Sequence, residues 1–364
     1  MKGTLDLGRV SGIKVQIHWT FIFLIAWVVF LEVSRGSDMP TVMLSIVFVL
    51  VIFGCVVLHE LGHALTAKRF GISTRKITLL PIGGVASLER MPEKPKQELL
   101  VAVAGPVVNI VIAILLYMVF PIHRFLNLEP EALQESLSAI TPQNFVFYLF
   151  AANVMLVVFN AIPAFPMDGG RILRAILSMT IDRVQATRIA AALGQLMAVV
   201  FFFFGLFYNP LLILIGIFVY FGAQGENVMV QHLALLRGHK VNEAMMTNIT
   251  VLHPDQSIRE VVNIVLSGTE IHFVVSEDQE VLGVLYQSDF IDAMKGKNTD
   301  APVKNFMTTD FEKVGLNEDL ADFYRKVRAN RKNFFPVLEN NHLMGAIDFN
   351  NINEYMLIRS SLDY

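Results

Sequence analysis

The chain has 364 residues, of which 54% are hydrophobic and 17% charged, with a formal net charge of −3. Soluble globular proteins carry nearer a quarter charged residues, so an entirely soluble chain is excluded. Residues 1–225 hold 16 Lys+Arg against 12 Asp+Glu and residues 226–364 hold 13 against 20; an acidic back half speaks against nucleic-acid binding and against adhesion to anionic lipid.

Six apolar stretches, at about 18–34, 41–67, 97–120, 144–162, 187–207 and 209–224, read as membrane helices, the last of them short. No small-residue cleavage site follows the first, so it reads as a span rather than a signal peptide. His18 at its mouth reads as a structural anchor beside Trp19. The second stretch ends in His59-Glu60-Leu61-Gly62-His63. Two histidines four residues apart share one helical face and can reach one metal ion, and the Glu between them can act as a base toward water. Elsewhere a histidine on an apolar helix is more often a satisfied core group. At membrane depth ionisable side chains are costly and usually functional, which favours the metal. Cys55, the single cysteine, lies in the same run and can form no internal disulfide.

Between the second and third spans, residues 76–90 are rich in β-branched and turn residues. Pro81 and Gly83-Gly84 argue against a helix there. The segment reads as a β-hairpin, either re-entrant with an exposed edge able to receive an unwound substrate, with Gly83 and Gly84 as substrate-positioning candidates, or an ordinary cytoplasmic turn. The fourth span ends in Asn160-Ala161-Ile162-Pro163-Ala164-Phe165-Pro166-Met167-Asp168-Gly169-Gly170. A catalytic zinc usually keeps three protein ligands and one open position. Asp168 is the acid expected near the depth of His59, and it is the third-ligand candidate; the alternative is a plain cap on the helix that follows. Lys and Arg crowd the segments before span one, between two and three, and between four and five. The opposite loops hold only Arg35 and Arg124. The positive-inside rule then places both termini in the cytoplasm, with His59 roughly 13 Å from the basic flank at Lys68.

Beyond Gly225 the composition turns soluble. Met246-Thr247 recurs as Met307-Thr308, His272-Phe273-Val274-Val275 as Phe334-Phe335-Pro336-Val337, and Gly283-Val284-Leu285 as Gly345-Ala346-Ile347. Two copies of one α/β unit are expected, each reading strand, helix, strand, strand, helix. The expected organisation is a helical polytopic membrane domain at 1–225 (core 41–180), a linker at 226–239, and a soluble pair at 240–364, with copies at about 240–297 and 302–357.

HELGH in an early span, Ala104-Gly105-Pro106-Val107-Val108-Asn109 in the next, and the Asn160, Pro163, Asp168, Gly169 series after that resemble the site-2 protease family of intramembrane zinc metalloproteases. The likeness covers about residues 41–180. It implies one Zn(2+) per chain held by His59, His63 and Asp168, Glu60 as general base, and a transmembrane protein or peptide substrate within the lipid. Asn160 or Asn109 is then a candidate to hold the substrate or its oxyanion. The paired repeat resembles cystathionine-β-synthase-type (CBS) domains, which implies an adenine nucleotide such as ATP or AMP as regulator. Asp289 fits the expected ribose-binding acid, but Tyr286 stands where Ser or Thr is usual, and Asp348 and Asn351 replace both positions in the second copy. Nucleotide sensing is thus expected through the first copy only, against a homo-oligomerising module without ligand. The competing functional readings are a CBS-regulated transporter or channel and an inactive adaptor on the same fold; the second is disfavoured by the presence of Glu60.

Overall fold

Residues 4–18, expected as a basic flank running into the first span, form strands. In the computed structural model β1 (Thr4–Val10) and β2 (Ile13–His18) make an antiparallel hairpin. Its turn residues Ser11 and Gly12 both have positive φ, as a two-residue hairpin turn requires. The period-two alternation of Ile13, Val15 and Ile17 with Lys14 and Gln16 is the signal for β2. The structure describes residues 3–81, 83–88, 91–129, 131, 139–278, 280–329 and 333–362. It comprises two units, Met1–Val228 and Met229–Tyr364.

In the first unit β2 pairs in parallel with β3 (Thr74–Leu80), and β3 pairs antiparallel with β4 (Gly83–Leu88), giving the order β1-β2-β3-β4. The hairpin expected at 76–90 is therefore the far half of a four-stranded sheet, and β4 is its edge; Ile82, Glu89 and Arg90 lie outside the described residues. Ile13 and Ile77 pack with Leu61 and Ala64, which seats the sheet on the helix that carries the HELGH motif.

Helices stand where the apolar runs predict them: α1 (Phe21–Ser34), α2 (Met39–Arg69), α3 (Pro95–Val119), α4 (Phe145–Ala161), α6 (Arg183–Phe207) and α7 (Leu211–Leu236). A seventh, α5 (Asp168–Leu177), lies between α4 and α6. Four of them, α2, α3, α6 and α7, are long and apolar enough to cross a membrane. By contrast α1 and α4 have 14 and 17 residues, or about 21 and 26 Å at 1.5 Å per residue, short of a ~30 Å hydrocarbon layer. Residues 226–236, expected as linker, continue α7. Large side chains such as Trp27, Phe30, Leu115, Phe203 and Phe221 are exposed along the helices, a surface suited to lipid and not to water. Local chemistry fixes the helix ends. Asp38 accepts from the Thr41 N–H at 3.2 Å with Pro40 in the first turn of α2, and Asp182 accepts from the Val184 N–H at 2.7 Å at the start of α6.

The second unit carries the expected repeat. The first copy is β5 (Val251–Leu252), α8 (Ile258–Ser267), β6 (Phe273–Glu277), β7 (Glu280–Leu285) and α9 (Gln287–Lys295). The second is β8 (Val314–Gly315), α10 (Leu320–Ala329), β9 (Phe334–Glu339), β10 (His342–Asp348) and α11 (Phe349–Leu362). Each sheet has a parallel then an antiparallel pairing. The copies exchange short bridges: Met246 pairs with Ala346, and Thr308 with Val284. A Cβ at Gly345 would overlap the Met246 carbonyl, and one at Gly283 would stand 3.0 Å from the Thr308 carbonyl. The Met-Thr and Gly echoes in the sequence are thus the two halves of one reciprocal contact. Just before it, the Lys240 N–H and the Tyr355 hydroxyl donate to Glu243 (2.9 Å each). These bonds, together with His239, hold the Glu243 carboxyl down at about 2, the backbone N–H being the largest cause.

Candidate metal centre

HELGH occupies the last third of α2, so His59 and His63 are one turn apart on the same face. Both are buried, as is Asp168 at the first position of α5. Three atoms meet there. His59 Nε2 and His63 Nε2 are 3.1 Å apart, and Asp168 Oδ2 lies 3.1 and 3.0 Å from them. Donors about 2.0–2.1 Å from a tetrahedral ion stand about 3.3–3.4 Å from one another, so this triangle fits a zinc-sized ion.

The hydrogen bonding outside the triangle supports that fit. His63 Nδ1–H donates to the Val101 carbonyl at 2.7 Å, and His59 Nδ1–H donates to Asn109 Oδ1 at 2.5 Å. A backbone carbonyl can only accept, so the neutral His63 ring must carry its proton on Nδ1 and turn a lone pair inward. Three acceptor atoms then face one another in a buried space, an arrangement that repels unless a cation lies among them. Gly105 of α3 leaves the room: a Cβ there would stand 2.7 Å from His59 Nε2 and closer still to His63 Nε2. The other carboxylate oxygen, Asp168 Oδ1, faces Arg171 Nη1 at 3.4 Å.

Glu60 projects from the same turn of α2 toward β4, where a Cβ at Gly84 would meet its Cγ at 2.9 Å and its Oε1 at 3.4 Å. Gly83, with φ of 137°, opens that strand. The edge strand and the Glu60 carboxylate are therefore neighbours. Asn160, at the end of α4, is half-buried and donates to its own helix at the Leu156 carbonyl, 3.0 Å away. Asn109 does not suit a substrate-holding part: it is fully buried, its oxygen is taken by His59, and its NH2 donates to Asn153 Oδ1 at 2.8 Å.

Four further residues hold the frame, and only their charge inside apolar flanks marks them in the sequence. Arg174 of α5 is fully buried, donates through Nε and Nη2 to Glu98 Oε1 of α3 at 2.8 and 2.5 Å, and through Nη1 to Glu226 of α7 at 2.6 Å. Its guanidinium also lies 4.8 Å from the Phe165 ring centre. Arg183 reaches the other Glu98 oxygen at 2.8 Å. Removing one member would strand the rest, which costs about 3–5 kcal/mol for a buried pair.

In the second unit Asp289 caps α9: its Oδ2 accepts from the Tyr286 N–H at 3.0 Å and from the Thr308 hydroxyl at 3.4 Å. Burial, then Asp289, pushes the Tyr286 hydroxyl up to about 12. Asp348 and Asn351 exchange backbone-to-side-chain bonds of 2.8 and 3.0 Å at the start of α11. The pair that breaks the expected nucleotide pattern serves there as a helix cap. A second grouping of possible metal-ligating type, His253, Asp255 and Glu277, is exposed, and Asp255 is engaged by Lys304 at 2.7 Å.

Comparison with known proteins identifies the family. The profile of peptidase family M50 matches residues 47–204, and a CBS domain profile matches residues 241–296. A zinc metalloprotease of Methanocaldococcus jannaschii is 34% identical over 359 residues, which is 98% of this chain and 97% of the relative. The chain belongs to peptidase family M50, the site-2 protease family. The solved site-2 protease from the same archaeon is 39% identical, with a TM-score of 0.46 over 62% of this chain and 95% of that one. Stage IV sporulation protein FB of Bacillus subtilis is 29% identical over 37% of this chain and 41% of its own. The protein is thus a membrane zinc metalloprotease of this family with a CBS domain, and the transporter reading is left without support.

Proposed function

We propose that this chain is an intramembrane endopeptidase that cleaves transmembrane or membrane-associated proteins, with His59, His63 and Asp168 as the zinc ligands and Glu60 as the general base. The carrying observation is the convergence of three inward-facing acceptor atoms, two from the apolar helix α2 and one from the start of α5, beside Glu60 and the β4 edge. Zinc supplies Lewis acidity, which makes water a nucleophile near neutral pH and polarises a carbonyl. The chain does the rest. Glu60 takes the proton from the attacking water and delivers it to the leaving amine. The β4 edge, with Gly83 and Gly84 offering backbone without side-chain bulk, pairs with the unwound substrate and replaces the hydrogen bonds its helix gives up. Asn160, half-buried at the end of α4, is the remaining candidate for a hydrogen bond to the bound segment. The test is purified full-length protein in liposomes with a single-span substrate. Cleavage within the span that stops on chelation and returns with zinc is expected. Metal-independent cleavage, or cleavage only outside the span, overturns the reading.

Both termini and the CBS pair are proposed to be cytoplasmic, on the distribution of Lys and Arg. In a Cys55→Ala background, Ser288→Cys should be shielded from an impermeant thiol reagent in intact cells and Asn127→Cys should react; the reverse pattern overturns the topology. Regulation by an adenine nucleotide through Asp289 is the proposed role of the first CBS copy. The second copy, whose corresponding positions form the α11 cap, contributes assembly.

A further inference from the structure

Resting on the ligand assignment above, we infer that Asn153 is a positioning residue for the metal centre, and that it sets the tautomer of His59 through Asn109. An amide side chain can turn either its oxygen or its NH2 toward a neighbour, and the two faces have opposite consequences for a histidine. If Asn109 presents oxygen, His59 must protonate Nδ1, which leaves Nε2 free to bind metal. If Asn109 presents NH2, Nδ1 becomes the acceptor, the proton moves to Nε2, and the ring points an N–H at the site. Something must fix the direction of Asn109.

The structure supplies it in one series. Asn153 Nδ2 donates to the Leu149 carbonyl at 2.9 Å and lies 3.6 Å from Cys55 Sγ. A carbonyl cannot donate, so Asn153 must turn its NH2 that way and its oxygen toward Asn109. Asn109 must then give its NH2 to that oxygen, at 2.8 Å, and its own oxygen to His59 Nδ1–H, at 2.5 Å. Asn109 and Asn153 are fully buried and His59 nearly so, so water does not scramble the order. His63 reaches the same result in one step, through the Val101 carbonyl. Each histidine is anchored on a backbone oxygen, one directly and one through two amides from α3 and α4. Cys55, one turn before His59 on α2, is a second acceptor at the far end of the series.

The prediction is read as metal affinity, by chelator competition on the full-length protein in detergent. Asn153→Leu keeps the branched shape and removes the hydrogen bonds, so Asn109 is free to turn over. Zinc affinity should fall about 10–100-fold, the usual scale for an outer hydrogen-bond partner of a ligand histidine. Asn153→Asp should stay within about threefold of the parent, because its buried carboxyl keeps an acceptor for Asn109 and, protonated, a donor for Leu149. Asn109→Asp combined with Asn153→Leu should recover affinity, since a carboxylate accepts from Nδ1–H whichever way it turns. A residue that merely packs would leave the double variant as impaired as Asn153→Leu. Where Asn153→Leu does not give monodisperse protein, Asn153→Ser replaces it; the shorter hydroxyl bonds back to Leu149 and releases Asn109. Undiminished affinity in the Leu or Ser variant overturns the inference, as does equal loss in Asn153→Asp. Failure of the ligand assignment itself would show differently, as full zinc binding in His59→Ala.

Discussion

Glu60→Gln should abolish proteolysis while leaving zinc bound. The substitution keeps the size of the side chain and its approach to Gly84, and it touches none of the three acceptor atoms that converge between α2 and α5. What it removes is the only property the proposed mechanism takes from Glu60, the capacity to accept a proton. Loss of a general base typically costs about 10²–10⁴-fold. Here the same group also returns the proton to the leaving amine, so the loss should sit at the upper end. The measurement pairs the rate of cleavage of a single-span substrate with zinc content per chain. One equivalent of zinc with no detectable turnover is the expected result. Substantial turnover by the metal-loaded variant would remove Glu60 from the mechanism, and zinc-free protein would mean that Glu60 holds the metal rather than the proton.

Gly105→Ala should have the complementary signature: loss of metal first, and of activity as a consequence. Its methyl would occupy the space beside both Nε2 atoms, closer than a non-bonded Cβ approaches another heavy atom. Neither neighbour gives way easily. His59 and His63 are held from behind by Asn109 and Val101, both of which belong to the same helix as Gly105. Pushing α3 back would therefore pull both hydrogen bonds with it. Zinc affinity should drop by about 100-fold, the upper end for disturbing the surroundings of ligand histidines. Residual turnover at saturating zinc should also fall by about 10²-fold, because ångström-scale misplacement is costly in rate. Unchanged zinc affinity would show that α2 and α3 separate freely and that the cradle is looser than it looks.

Much of the centre was legible in the amino-acid sequence because its parts are short-range patterns. HELGH places two imidazoles by helical periodicity alone, and the Pro-broken stretch before Asp168 marks an acid at the end of an apolar helix. The CBS repeat was legible from its echoes, and the Met246–Ala346 and Thr308–Val284 bridges explain why those echoes exist. What escaped was long-range. The partnership of Glu98, Arg174 and Glu226 joins positions up to 128 residues apart, and no local pattern announces it. Asn153 reads as one polar residue in an apolar helix; only the fold shows that it lies behind Asn109. The strands at 4–18 alternate visibly, but they adjoin an apolar run whose stronger signal absorbed them. α1 was expected to begin at about residue 18 because composition marks where a helix is apolar, whereas the turn at Thr20 fixes where it begins.

The β4 edge also bears on what such an enzyme would choose to cut. An edge strand recognises main chain, and every polypeptide has the same main chain. Selection must then come from the cost of presenting it. A stable apolar helix keeps its peptide groups paired to themselves, while a helix interrupted by Gly or Pro has already surrendered some of those pairings. With roughly 1 kcal/mol per Gly and 3 per Pro relative to Ala, one such residue near the scissile bond changes the accessible population by about 5- to 160-fold. Specificity would then be a matter of substrate stiffness, graded rather than lettered, and two unrelated transmembrane segments of equal softness would be equally good substrates.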